Sequence, residues 1–390
     1  MEIINNLLRK GVKIPNPAGV EIGAEVDIGR ISGEGVVVHP GCRIRGEQTL
    51  ILPGARLGAE GPVTVENCFI GPEAELKGGY FREAVFLEKA SCRSGSHVRE
   101  GTILEEHAGI AHTVGLKQTI LFPFVTLGSL INFCDCLMAG GTDRQNHSEV
   151  GSSYIHFNFT PNQDKATPSL IGDVPRGVML NQRPIFLGGQ GGMVGPVRLD
   201  YGITVAAGTI LRKDELRPDR LIIGGAGKGG SIEFRPGRFS GTARIIKNNL
   251  VYIANLTALR HWYREVRSLF VGERFPEPLL AGLKMNAQRA VDERTKRLKE
   301  LGDKMAASGD PSLLERWPSV EQALAARNEH RGNDRLRESF QEKTSRAIES
   351  AGKDYITVIK GLPAEESEPG TAWLQGIVDE TVEVALAALK

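Results

Sequence analysis

Four stretches of the chain carry residue types that could do chemistry. One is Gly188-Gly-Gln-Gly-Gly192, at the end of a run that begins at Arg183. Four glycines around Gln190 let backbone N–H groups approach a ligand closely, as the concave amide nests that cradle phosphate do. Gly189 and Gly191 are therefore candidate contacts to a bound cofactor. The run lacks the Gly-Lys-Ser/Thr ending of a nucleoside-triphosphate loop and the strand-to-helix setting of a dinucleotide fold, so neither is supported. A second glycine cluster, Gly224–Gly230, reads as another anion nest or as a flexible joint. Another stretch is His107-Ala-Gly-Ile-Ala-His112, where two imidazoles offer metal ligands. A catalytic zinc site needs a third protein ligand, and no metal is expected. The last is the basic and aromatic string Arg260-His-Trp-Tyr-Arg264. A helix with Trp262 on its buried stripe and arginines on its wet face accounts for it without RNA or lipid.

These groups need a frame, and the frame is a period of six. Cys68, Ala74, Tyr80, Phe86, Cys92, Val98, Leu104 and Ile110 are all apolar, among residues rich in Gly, Glu, Lys and Arg. Six residues of α-helix turn through about 600°, so such a stripe would spiral round a helix. The period suits a chain that makes one short strand, turns, makes another, and buries a side chain at each step. The same step links Ile14, Val20 and Val26, then Ile44 and Leu50, then Val125, Ile131 and Leu137, then Val197, Ile203 and Thr209. The expected fold is a β-solenoid of hexapeptide repeats.

The composition changes near residue 245, where Gly becomes scarce and Ala, Leu, Glu, Arg and Lys take over. Two domains are expected, a solenoid over 1–244 and an α-helical region over 245–390. Apolar residues recur at helical spacing from Ile245 to Phe270, and further helices are expected around Pro278–Ala307, Pro311–Asn328, Arg335–Lys360 and Thr371–Leu389. Gly352 and Gly361 mark weak points in them. A solenoid must cap its terminal coils. Met1–Arg9 suits one end and Ile245–Phe270 the other.

The formal net charge of +1 gives no field for nucleic acid or an anionic membrane surface. No stretch reads as a signal peptide or a membrane span, and five cysteines make no disulfide framework. A cytoplasmic protein is expected.

Val194–Asp214, with Val205-Ala-Ala-Gly-Thr209 at its centre, closely resembles the last coils of the acetyltransferase half of the bifunctional glucosamine-1-phosphate acetyltransferase / N-acetylglucosamine-1-phosphate uridyltransferase family. His156-Phe-Asn-Phe-Thr-Pro-Asn-Gln-Asp-Lys165 and Ser169-Leu-Ile-Gly-Asp173 resemble that enzyme's loop and the repeat after it. The resemblance implies a left-handed parallel β-helix, a homotrimer with sites between subunits, acetyl-coenzyme A or another acyl-coenzyme A as donor, and a phosphorylated or nucleotide-linked sugar as acceptor. Asn158 matches an acceptor-holding asparagine, Phe159 stands for a tyrosine, and Ala207 falls on a donor-contacting alanine. The catalytic histidine maps onto Asp135, with His147 and His156 as other candidate bases and Lys165 as a phosphate partner. The spacing of His107 and His112 also resembles the zinc ligands of γ-class carbonic anhydrases, whose third histidine would fall near Arg82. A third class of function is a non-catalytic trimer, a scaffold or sugar-nucleotide-binding protein that displays helical arms.

Overall fold

A computed structural model describes residues 2–224, 233 and 237–390. Most of the glycine cluster Gly224–Gly230 lies outside the described residues. The chain opens with helix α1 (Glu2–Lys10), which buries Ile4 and Leu7 on the first coil as expected of a cap. It then winds as a parallel solenoid of short strands. Among the described residues one ladder holds ten strands, from Val37–Val38 to Leu221–Ile222, with Lys13 bridged to Val37 as a further rung. Two more ladders run along the other faces. They join where Gly115–Leu121 and Asn132–Met138 are long enough to bend round the corner between them. We number the faces in chain order within a coil, so Ser96–Val98, Thr102–Leu104 and Gly109–Ile110 lie on the first, second and third.

Side chains alternate between the inside and the outside of each face. On the first face the inner stack runs Ile22, Ile44, Val65, Phe81, Val98, Leu116, Phe133. Seven of the eight six-spaced residues are buried; the exception is Tyr80. The coil from Val65 to Phe81 is shorter than three hexads, so Phe81 takes the inner place. Tyr80 turns outward instead, stacks on His97 at 5.2 Å and donates to Glu66 at 3.3 Å.

The second face explains the helices. Its outer row reads Leu50, Phe69, Val85, Ile103, Ile120, Leu137 and Leu170. Leu50 and Leu137 thus face outward, although the period of six put them inside. An apolar outer row must be covered by another layer. The cover consists of α3 (Thr242–Glu265) and α4 (Glu277–Ala307), after the short α2 (Val174–Gly177) within the solenoid. A Cβ on Gly282 of α4 would strike the Phe69 ring at 2.6 Å, so glycine sets how closely that helix approaches.

The remaining helices are α5 (Ser312–Glu329), α6 (Asp334–Ala351), α7 (Tyr355–Gly361) and α8 (Ala364–Ala387). Gly352, at φ +82°, divides the single helix expected over Arg335–Lys360, and α8 starts before Thr371 with Pro369 inside it. Helix α3 is buried on nearly every side, which places it at the centre of the layer against α4 and α8. It does not cap the far end of the solenoid as expected. It lies along the flank, where Asn249 donates to the Ala166 carbonyl and Asn255 accepts from the Val174 N–H. Trp262 is buried and donates to Tyr355 at 3.2 Å, as the helical reading of Arg260–Arg264 requires. Among the described residues no helix is long and apolar enough to cross a membrane.

Where α3 meets the solenoid, the Tyr263 hydroxyl donates to buried Glu105. Burial first, then the charge of Glu106, pushes the Glu105 carboxyl up to about 7. In the range between 4.5 and 7 the folded state holds a proton that the unfolded chain releases. The stability this contributes is full below about 4.5 and is lost as pH rises through 7, on the order of 3 kcal/mol. His156, held down to about 4 by burial, acts in the opposite sense between 4 and 6.5. The clean measurement is therefore the difference in unfolding free energy between the native chain and Glu105→Gln. The native chain should lose stability relative to the variant from pH 5 to 8; a pH-independent difference would contradict the protonated carboxyl.

Candidate functional site

The corner between the first and second faces gathers four of the expected site residues, Asp135, Asn158, Phe159 and Lys165. Asn132–Met138 bends there, and Asp135 takes the bend with φ +63°. In the next coil the same corner extrudes the loop 158–168, between Ile155–Phe157 and Ser169–Ile171. Asn158 reaches back from the loop and donates Nδ2 to Asp135 Oδ2 at 3.2 Å. Because a carboxylate only accepts, the Asn158 amide oxygen is left facing away, free to accept from a ligand N–H or O–H.

Helix α4 runs up this corner and fixes it with basic residues. Arg289 pairs with Glu83 at 2.6 Å, Arg294 with Asp135 Oδ1 at 2.9 Å, and Lys304 donates to the Gln163 carbonyl. Both Asp135 and Arg294 are buried, and Arg294 also touches the Lys165 carbonyl at 3.5 Å. Asp135, proposed above as a base, thus has one oxygen on a guanidinium and the other on an amide. The Lys165 side chain is exposed, and Phe159 is 57% exposed on the outer side of the loop.

The two histidines do not join this cluster. His156 belongs to the inner stack, opposite Met193 and edge-on to Phe133. Its Nε2 bonds Ser169 Oγ at 2.8 Å, and burial keeps it neutral at pH 7. Enclosed in the solenoid, it is out of reach of a ligand on the outer surface, which corrects its expected role as a base. His147 lies between the second-face strand ending at Met138 and the third-face strand Glu149–Val150, so it occupies a different corner from Asp135.

Ala207, Gly189 and Gly191 lie together at the corner between the third and first faces. The stretch around the glycines is a regular coil, with Phe186–Leu187 and Gly192–Val194 as its strands. Its glycines are needed for stacking. A Cβ on Gly188 would sit 2.4 Å from Ala207 N, and one on Gly189 2.8 Å from Ser152 O. A Cβ on Gly191 would press on Tyr154 at 2.8 Å. The neighbouring coils fill the space an open nest would need, while Ala207 itself is exposed. Between the two corners the outer surface of the first face is apolar: Ile155 and Ile210 flank Gly192, and Phe157 packs beside it. These three side chains are 37–42% exposed.

His107 and His112 flank one short strand. His107 stacks on Phe124 at 5.5 Å before the strand Gly109–Ile110, and exposed His112 follows that strand. Among the described residues no group of three or more His, Cys, Asp or Glu is placed to hold a metal ion.

Arg294 is the residue that sequence reasoning missed. It does leave a signal, since Ala287, Ala290, Val291, Leu298 and Leu301 form an apolar stripe in which Arg294 takes a core position. A buried arginine in such a stripe calls for a buried acid opposite.

No protein-family profile matches the chain. The bifunctional protein GlmU of Thermotoga petrophila is 26% identical over 224 residues, covering 55% of this chain and 42% of that protein. The GlmU of Pelobacter propionicus is 28% identical over 214 residues, covering 54% and 41%. The chain therefore spans about two-fifths of the length of these relatives. Among solved structures, the UDP-N-acetylglucosamine acyltransferase from Campylobacter jejuni aligns over 70% of this chain and 93% of that one, at 15% identity and a TM-score of 0.21. The polySia-specific acetyltransferase NeuO aligns over 55% and 74%, at 10% identity and a TM-score of 0.17.

Proposed function

We propose, for a chain that belongs to the hexapeptide-repeat β-solenoid family related to GlmU acetyltransferase, an acyl-coenzyme A-dependent acyltransferase for a phosphorylated or nucleotide-linked sugar. The observation that carries this reading is Asn158. Asp135 holds its amide nitrogen, so its oxygen is presented to an acceptor amine or hydroxyl on the loop that resembles the family's. The pantetheine arm of the donor would pass Ala207 and lie on the apolar strip of Ile155, Phe157 and Ile210 towards Asn158. The acceptor attacks the thioester carbonyl while backbone N–H groups hold the oxyanion, the C–S bond breaks, and the acceptor's proton passes to the departing sulfur, so that coenzyme A leaves as its thiol. Lys165 and Phe159, exposed on the same loop, would meet the phosphate and the sugar. The exposed strip would also be a face for self-association into a homotrimer, with a second subunit closing the site.

One observation favours a second reading, sugar-nucleotide binding without transfer. Asp135, at the position of the family's base, is tied to Arg294.

Calorimetry and a thiol-release assay separate the two on a preparation whose mass by sedimentation equilibrium is three chains. Acetyl-coenzyme A should bind the native chain, and Ala207→Trp should abolish that binding with the fold intact. Asn158→Ala should weaken glucosamine 1-phosphate about tenfold and leave the donor bound, as expected for one lost hydrogen bond. Binding of both ligands without thiol release selects the second reading; no heat with any acyl-coenzyme A removes the first.

A further inference from the structure

We propose that the cleft between the solenoid and the helical layer at Glu106 binds a small molecule that carries an anionic group beside a hydroxyl or ammonium group. The cleft lies at the corner between the second and third faces, away from the Asn158 loop, and encloses about 520 Å³. Its solenoid wall includes Glu106 and His107, and its other wall is the α3–α4 connection and the start of α7.

The floor is Arg267, only 1% exposed. Its guanidinium lies over the Tyr355 ring at 3.7 Å and the Phe275 ring at 4.5 Å, and its N–H donors point outward along its edges. Nη2 donates to Glu106 Oε1 at 2.5 Å. Among the described residues the buried Nε and Nη1 have no hydrogen-bond partner, and neither has the second oxygen of Glu106. A buried charged group left with unmade hydrogen bonds is costly, and here the orphans come as a set: two donors and one acceptor. Carboxylate or phosphate oxygens satisfy the two donors, and an adjacent hydroxyl or ammonium satisfies the acceptor.

The rim adds no surplus charge. Lys89, Arg274 and Lys353 are balanced there by Glu88, Glu273 and Asp354, with Arg274 paired to Glu88. Burial, then the charge of Lys89, holds His107 below the usual imidazole range, so at neutral pH it offers a neutral donor and acceptor at the mouth. A ligand of low net charge with paired polar groups fits such a lining better than a polyanion does.

The test titrates the full chain by calorimetry with three probes at millimolar concentration: glycerol 3-phosphate, L-serine and inorganic phosphate. Glycerol 3-phosphate or L-serine should bind saturably and more tightly than inorganic phosphate, and which of the two binds tells phosphate from carboxylate. Gly272→Phe fills the cleft and leaves Arg267 and Glu106 unaltered, because a Cβ there meets Lys353 Cδ at 3.4 Å and Phe270 O at 3.8 Å. Arg267→Lys keeps the charge and loses the planar fork. Each variant should weaken binding about tenfold or more, while Asn158→Ala leaves it unchanged. Absence of saturable binding by all three probes, or binding unchanged in Gly272→Phe, overturns the site, and either result leaves the acyl-transfer reading where it stood.

Discussion

Replacing Arg294 by methionine should lower the unfolding free energy by about 3–5 kcal/mol, far more than a surface arginine would cost. The substitution leaves the Asp135 carboxylate buried beneath α4 with only the Asn158 amide as partner. Asp135→Asn should also be costly, though less so, because Arg294 keeps a weaker contact with Glu293 at 3.6 Å. The double variant should recover most of the loss, since two neutral groups of similar volume need no mutual compensation. Urea denaturation of the four proteins measures this directly. Additive losses would show that Asp135 and Arg294 are not energetically paired. The outcome also bears on function, because an aspartate that holds a helix in place and orients Asn158 is a positioning residue.

The solenoid was legible because its inner stack repeats on a fixed step, and a step of six leaves a trace no other element makes. Legibility failed where coils change length. The coil between Val65 and Phe81 is short, so Tyr80 exchanged places with Phe81. The hairpin closed by Gly141 and His147 lengthens another coil and separates His147 from Asp135. It failed again on the second face, where the outer row is as apolar as the inner one. Leu137 and Met138 differ in sequence by nothing that tells inside from outside. The helical composition after residue 245 was plain, yet its docking on that row was not, because covering a face depends on all seven coils that build it. At the site, Asn158 was reached through the resemblance of its loop, whereas the Asp135–Arg294 pair behind it joins a solenoid strand to a helix far along the sequence, which no local pattern connects. The glycines from 188 to 192 misled for a physical reason: a glycine that admits a ligand and one that admits a neighbouring coil look the same in sequence.

Ile103→Asp should produce the clearest change in the behaviour of the whole molecule. Ile103 is fully buried in the outer row of the second face, under α4, while its neighbour Leu104 points into the solenoid. A carboxylate at Ile103 is unpaired as long as the helical layer is docked, which costs several kcal/mol, and undocking returns it to water. Undocking leaves the inner stack and the parallel ladders intact. Thermal unfolding followed by circular dichroism should therefore split, with the helical signal lost well below the strand signal. Val98→Asp is the control, because Val98 is in the inner stack between Phe81 and Leu116 and no rearrangement of the helices can hydrate it. That variant should lose solenoid and helices together or fail to fold. If Ile103→Asp unfolded in one transition at the native midpoint, α4 would not be seated on this row. If it unfolded in one transition at a much lower midpoint, solenoid and helices would be a single cooperative unit, with the apolar face holding both together.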